Sequence, residues 1–321
     1  MKRAPKSEIQ QKPTPPSAIE KGFEDLRPRR DAFPTVSPRW LLMAGGVAVF
    51  GALACTWLTL CLLYWQGSWQ LLYHPKLAIS RTPATVKLEF EPIRFATTES
   101  GTPQLAGWWI PASDAHSRFT MLYLHGADGN VSDAMDTLAK LHDQGLSVLA
   151  FDYRGYGQSL PIASAGRPNE KKLLQDAEWA LDYLTQTRRI NPVGIVVYGE
   201  GLGADLAAEL AEHHSSLAGV ILAEPPSEPM EMVFADPRSR LIPARLLVSD
   251  RYDVRAAAAQ LRIPSLWLLA QPADGKTVQP PGYQADEFAK TLAWLNQPVA
   301  GDPHFAETLR RWLDELPSPA K

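Results

Sequence analysis

From Trp40 to Trp65 the chain carries no charged side chain, and after Arg39 the next formal charge is Lys76. A run of about 25 helical residues spans roughly 38 Å, enough to cross a bilayer with some tilt. Trp40, Tyr64, Trp65 and Trp69 stand near its ends, as an aromatic belt does. A buried core helix seldom runs this long without a charge. A cleaved signal peptide starts earlier, is shorter and ends in a small-residue cleavage site, which is not evident here. The run, bounded at 39–66, therefore reads as a retained signal anchor, with residues 40–65 in contact with the membrane.

The segment before it, residues 1–38, is rich in Pro, Lys, Arg and Glu and poor in large apolar residues. It cannot bury enough surface to offset its ordering entropy, so it reads as a disordered tail. Lys2, Arg3, Lys6, Lys12, Lys21, Arg27, Arg29, Arg30 and Arg39 lie on that side, against Lys76 and Arg81 on the other. The positive side stays cytoplasmic. The expectation is a single-pass inner-membrane protein with a cytoplasmic N-terminus and an extracytoplasmic globular domain, periplasmic in a Gram-negative cell.

About 245 residues remain, which suits one α/β domain, here taken as 71–318. The net charge of -3 gives no basic excess for nucleic acid. Both cysteines, Cys55 and Cys61, fall in the apolar run. The globular part then has no disulfide and no thiol nucleophile. The seven histidines are scattered, and His213 and His214 point to different faces of a helix, so neither a metal nor another cofactor is expected.

Beyond the anchor, short apolar strands alternate with helices. Strands are expected at Val86–Thr97, Leu105–Ile110, Phe119–Leu124, Ser147–Tyr153, Gly194–Tyr198, Gly219–Ala223 and Ser265–Ala270. Helices are expected at Val131–His142, at Asn169–Thr187, from near Gly203, and at Phe305–Leu316, the last amphipathic. This alternation predicts a mostly parallel central sheet with helices on both faces.

The chemistry centres on Val196-Val197-Tyr198-Gly199-Glu200-Gly201-Leu202-Gly203-Ala204. A buried strand, a tight glycine turn and a helix form the setting of the nucleophile elbow, G-x-S-x-G. The flanking glycines Gly199 and Gly203 are present, but the tip is glycine. Such a tip adopts a backbone geometry that costs serine energy and that glycine occupies freely. The substitution removes the nucleophile and relieves strain. Glu200 is the only adjacent nucleophilic side chain, but it sits one residue early and points away from the tip.

With these motifs the chain resembles the membrane-anchored α/β-hydrolases of the BEM46-like group, relatives of serine acylhydrolases and peptidases, over about Leu71 to Leu316. Tyr73-His74-Pro75 resembles the opening signature. Leu124-His125-Gly126-Ala127-Asp128-Gly129-Asn130 resembles the H-G-x-x-G-N oxyanion loop. Phe151-Asp152-Tyr153-Arg154-Gly155-Tyr156-Gly157-Gln158-Ser159 resembles D-Y-R-G-Y-G-x-S. Asp274, ahead of Val278-Gln279-Pro280, matches the catalytic acid, and His304, after Gly301-Asp302-Pro303, matches the catalytic histidine. The resemblance implies the α/β-hydrolase fold. It also implies an ester or amide hydrolase in which Asp274 orients His304, His304 serves as base, and the N–H groups of Ala127 and Leu202 form the oxyanion hole.

Three functions compete. One is a weakened acyl hydrolase lacking its nucleophile. Another is a non-catalytic protein that uses the pocket for a small acyl or peptide ligand, or a face for a partner. The third is a dinucleotide-binding domain, since Gly199-x-Gly201-x-x-Ala204 imitates G-x-G-x-x-A with Glu224 about 25 residues on. The dinucleotide reading leaves the H-G-x-x-G-N and D-Y-R-G-Y-G motifs unexplained. The segment Pro225–Pro243, where this fold often inserts a lid, is expected to cap the pocket and meet acyl chains.

Overall fold

The computed structural model describes residues 36–98, 101–114, 117–272 and 275–317. The tail up to residue 35 and Asp274 lie outside the described residues. The chain divides into two compact units, residues 1–56 and 57–321. Helix α1, Pro38–Gly67, supplies the described part of the first unit and the start of the second. The stretch Pro38–Leu71 is long and apolar enough to cross a membrane, with a mean hydropathy of 2.1.

The second unit is built on one sheet of eight strands. They are β1 Glu91–Thr97, β2 Pro103–Ile110, β3 Thr120–Leu124, β4 Ser147–Asp152, β5 Ile195–Glu200, β6 Gly219–Ala223, β7 Ser265–Ala270 and β8 Lys290–Leu295. The spatial order is β8-β7-β6-β5-β3-β4-β2-β1. All neighbours from β4 to β8 pair in parallel, and β2 joins both β1 and β4 antiparallel. The order runs one way from β3 through β5 to β8 and the other way from β3 through β4 to β1. Such a reversal opens a crevice at the carboxyl ends of the central strands.

Helices cover both faces. On one side α3 Glu170–Asp182, α4 Leu202–His213 and α5 Val254–Gln260 bury Leu173, Ala177, Leu206, Leu210 and Ala258. On the other, α2 Met135–Asp143 and α6 Phe305–Glu315 bury Leu138, Leu141, Phe305, Leu309 and Trp312. Strands β3 to β7 are apolar along nearly their whole length because both faces are covered.

Three expectations need correction. The first strand does not start at Val86: Pro83–Val86 is a 3-10 turn, Lys87 takes φ 62°, and pairing begins only at Glu91. Pro92 is tolerated there because β1 is an edge strand. The expected helix at 131–142 opens with a 3-10 turn, Val131–Ala134, capped by Asn130, and that at 169–187 ends in a π-turn, Tyr183–Thr187. The strand Lys290–Leu295 was not anticipated. As the opposite edge it is only half-buried, so its sequence lacks the dense apolar run of the central strands.

Where β5 meets α4 the backbones nearly touch. A Cβ on Gly199 would overlap Gly203 O and lie 2.6 Å from Ala204 Cα. One on Gly203 would overlap Leu124 O and lie 2.6 Å from His125 O. These neighbours are backbone atoms, which cannot rotate aside. Gly203→Ala should therefore lower unfolding stability by about 2–4 kcal/mol in urea titrations of the purified chain. An unchanged midpoint would show that the crossing has slack.

Candidate functional site

The tip of the turn is Gly201, at φ 56° and ψ -125°, a conformation L side chains rarely adopt. Its N–H donates to Ala223 O (2.9 Å), and its carbonyl accepts from Ala204 N–H (2.9 Å). Space is not what excludes a side chain here. A Cβ at Gly201 would have only Gly126 Cα within 4 Å, at 3.9 Å. The elbow is thus formed and open, and its tip carries no side chain.

Opposite the tip runs the loop after β3. Gly126 approaches closely enough that a Cβ there would lie 3.4 Å from Glu200 O. The loop is held from behind by its carbonyls. Tyr153 OH donates to His125 O (3.2 Å), while Tyr156 OH (2.9 Å) and His74 N–H (3.1 Å) donate to Ala127 O. Asn130 Nδ2 ties the far end to Lys76 O (3.1 Å) and Ala78 O (2.8 Å), and Asp152 Oδ1 accepts from Val131 N–H (2.8 Å). With these carbonyls engaged, the loop stands against the turn that leads into α4. Leu202 opens that helix, where N–H groups lack intrahelical acceptors and favour negative charge.

Asp152, Tyr153 and Tyr156 are therefore positioning residues. The D-Y-R-G-Y-G motif contained them, but the sequence alone assigned them no role. Arg154, from the same motif, works further out. Its Nε donates to Asp176 Oδ1 (2.6 Å), and its guanidinium lies 4.5 Å over the Trp179 ring.

His125 is buried against Tyr153 and Tyr156, with ring centroids 4.4 and 5.1 Å away. Its Nδ1 bonds to its neighbour's carbonyl, Gly126 O (2.8 Å), in line with a role confined to the loop. Burial pushes its pKa down to about 4, so the ring is neutral.

Glu200 points away from the tip. Tyr123 OH donates to its Oε2 (2.6 Å), and burial raises its pKa. A carboxylate so occupied is no nucleophile. Glu224 takes φ 50° after β6 and accepts from Gln297 Nε2 (2.9 Å). The Gly201 N–H and the Glu224 carboxylate, which a dinucleotide would need, are both engaged within the protein.

His304 stands at the start of α6, beyond the carboxyl end of β8. Among the described residues its carboxylate partner is Asp302 (Nδ1 to Oδ1, 3.1 Å), and Asp274, the expected acid, lies outside them. Its side chain is 74% exposed, and none of its atoms lies within 4 Å of a Cβ at Gly201. Asp302 also accepts from Asn296 N–H (2.6 Å) and His304 N–H (2.7 Å), which hold its pKa down to about 2.

A cavity of about 740 Å³ lies between β7 and the segment after β6, lined by Met230, Phe234, Arg245, Tyr252 and Trp267 among others. Gly201, Ala127 and His304 do not line it. Trp267 is level with Gly199, two strands across. Among the described residues no group of three or more His, Cys, Asp or Glu is arranged to hold a metal ion.

Comparisons with known proteins agree with this geometry. Residues 115–272 match the family model described as serine aminopeptidase, S33. The uncharacterised protein Rv2307c of Mycobacterium tuberculosis (strain ATCC 25618 / H37Rv) is 31% identical over 207 residues, covering 63% of this chain and 68% of that protein. The uncharacterised protein YfhR of Salmonella typhimurium is 29% identical over 198 residues, covering 58% and 64%. Among solved structures, the Pyrococcus furiosus esterase Pf2001 superposes with a TM-score of 0.54 at 19% identity, over 75% of this chain and 98% of that one. An α/β-hydrolase from Vibrio vulnificus gives 0.52 at 20% identity, over 73% and 81%. The chain is an α/β-hydrolase. It belongs to the serine-aminopeptidase-like (S33) family of that fold.

Neutral His125 makes a pH prediction. In the unfolded chain it protonates near 6.5, in the folded chain only at about 4. Its contribution to stability is whole above about pH 6.5 and is lost as pH falls toward 4. The unfolded state binds the extra proton in that window. Asp152, pushed up to about 6 by burial, acts in the opposite sense, so the contrast with a variant isolates the histidine. The stability difference between wild type and His125→Asn should shift by about 3 kcal/mol between pH 7 and pH 4, against the wild type. A difference independent of pH would contradict a buried neutral ring.

Proposed function

We propose that this chain is a membrane-anchored α/β-hydrolase-fold protein that keeps an acyl-binding elbow but has lost covalent serine catalysis. The observation that carries the reading is Gly201 itself. It holds the elbow-tip conformation, φ 56° and ψ -125°, with open space where a serine side chain would stand. The family's ligands are esters or amides. The N–H groups of Ala127 and Leu202 flank the tip and suit a carbonyl oxygen there. Residue 201 itself carries no hydroxyl to attack it, and Glu200 is held by Tyr123.

The chemistry left to such a site is binding, or slow attack by water. Removing the nucleophile of a serine protease costs about 10⁶-fold in turnover and leaves about 10³–10⁴ over water from the oxyanion hole and binding. Recognition of a small acyl or peptide ligand without efficient turnover is therefore the function that fits, with regulation or transport as its use.

The anchor rests on α1. Its side chains in the first unit are exposed, Leu42 at 77% and Phe50 at 74%, which water does not favour and lipid does. The basic residues up to Arg39 favour a cytoplasmic N-terminus with the hydrolase domain on the other side of the membrane.

Gly201→Ser in the full-length chain tests the reading. Serine fits the space but not the backbone, so the variant should lose about 1–3 kcal/mol of stability. At the same time it should gain about 10³-fold or more in hydrolysis of short-chain p-nitrophenyl esters, and adding His304→Ala should abolish that gain. A parent that already turns over esters, and loses that activity with His304→Ala, would instead make the chain an enzyme using water.

A further inference from the structure

The end of α1, Trp57–Gly67, packs within the second unit against the segment that follows β6. Trp57 Nε1 donates to Leu241 O (3.0 Å) and Tyr64 OH to Val233 O (2.7 Å). Arg167 closes the helix end. Its Nη1 donates to Trp65 O (2.9 Å) and Gln66 O (2.6 Å), and its guanidinium lies 4.7 Å over the Trp65 ring. These bonds fix the segment after β6 against the last turns of the apolar helix.

That segment contains a short helix Glu231–Ala235, a 3-10 turn Pro237–Leu241 and a short helix Ala244–Leu247. Met232, Leu241 and Leu246 are 59%, 66% and 85% exposed. Arg240 and Arg245 stand among them, both exposed. Among the described residues neither has a carboxylate partner, Arg245 lying over the Phe234 ring (4.7 Å), whereas Arg238 is paired with Asp236. Exposed leucines interleaved with unpaired arginines are ill suited to water and well suited to the boundary of an anionic membrane.

The helix supplies the depth. A span of about 20 residues from Trp40, shorter than the full apolar run to Trp65, reaches its far boundary near Leu60 and leaves Tyr64, Trp65 and Trp69 just beyond it. Trp57 then lies at that boundary, where tryptophan anchors helices, and Leu241, bonded to Trp57, lies at the same level.

We infer that the face formed by Met232, Leu241 and Leu246, with Arg240 and Arg245, rests on the headgroup layer of the membrane that α1 spans, the two guanidinium groups meeting anionic lipid phosphates. The inference rests on the reading of α1 as an anchor. It also bears on the ligand. Arg245 lines the cavity of about 740 Å³ behind the same segment, so an amphiphile leaving the bilayer meets that cavity without crossing open water.

The test uses the full chain with Cys55→Ser, Cys61→Ser and Leu246→Cys, labelled with an environment-sensitive fluorophore. It is reconstituted in phosphatidylcholine vesicles containing phosphatidylglycerol. Glu315→Cys, on exposed α6, is the reference. Acyl-brominated lipid should quench the label at 246 about threefold more than that at 315, and aqueous iodide correspondingly less. Omitting phosphatidylglycerol should shrink the contrast. A label at 246 as open to iodide as the one at 315 overturns the inference. So does one shielded from iodide yet indifferent to brominated lipid, which points to a second copy or another protein on this face. Alkaline carbonate extraction separates the two levels: a chain that stays in the membrane with residue 246 open to water defeats only the docking face, whereas an extracted chain defeats the anchor and this inference together. If the cysteine replacements impair folding, tryptic cleavage of the wild-type chain after Arg240 and Arg245 serves instead. It should be several-fold slower in vesicles with phosphatidylglycerol than without, and equal rates overturn the inference.

Discussion

The near-contact of β5 with α4 is the constraint on which the site depends. Gly199 and Gly203 have no side chains because neighbouring backbone occupies the space, and this crossing forces the chain at Gly201 into a left-handed turn. The turn brings the start of α4 under the loop after β3, to which Gly203 is pressed. A helix start, an open tip and an opposing loop follow from one close approach. The geometry is set by the backbone, so it stands with glycine at the tip and does not depend on a side chain there.

The opposing loop has its own logic. Its carbonyls at His125 and Ala127 are satisfied by Tyr153, Tyr156 and His74. Burial keeps His125 neutral, so it brings no positive charge into the core beside the tyrosines. The two motif segments, H-G-x-x-G-N and D-Y-R-G-Y-G, thus form one device, the second holding the first. Neither depends on a nucleophile.

The sequence disclosed those parts of the molecule whose constraints are local. Strands β3 to β7 are legible because both faces are buried and nearly every residue is apolar, and the elbow because glycine spacing reports backbone contact directly. Less was visible where a partner comes from far along the chain. The strand Lys290–Leu295 lies at an edge and is half-buried, so its pattern is faint. Tyr123 as the partner of Glu200, 77 residues away, has no signature in spacing. The bond of His304 to buried Asp302, part of the same quoted tripeptide, also went unread in the sequence. The segment 225–243 reads as a lid by position, whereas its contacts with Trp57 and Tyr64 arise only in the folded chain.

The central claim is that the elbow is intact and lacks only its nucleophile. Covalent labelling with a fluorophosphonate probe, read by peptide mass, tests it most directly. The reagent reports an activated serine independently of which ester the protein prefers. The account predicts no adduct on the wild-type chain and an adduct on residue 201 alone in Gly201→Ser. An adduct on the wild-type chain, or a folded Gly201→Ser chain that resists the probe, would contradict it.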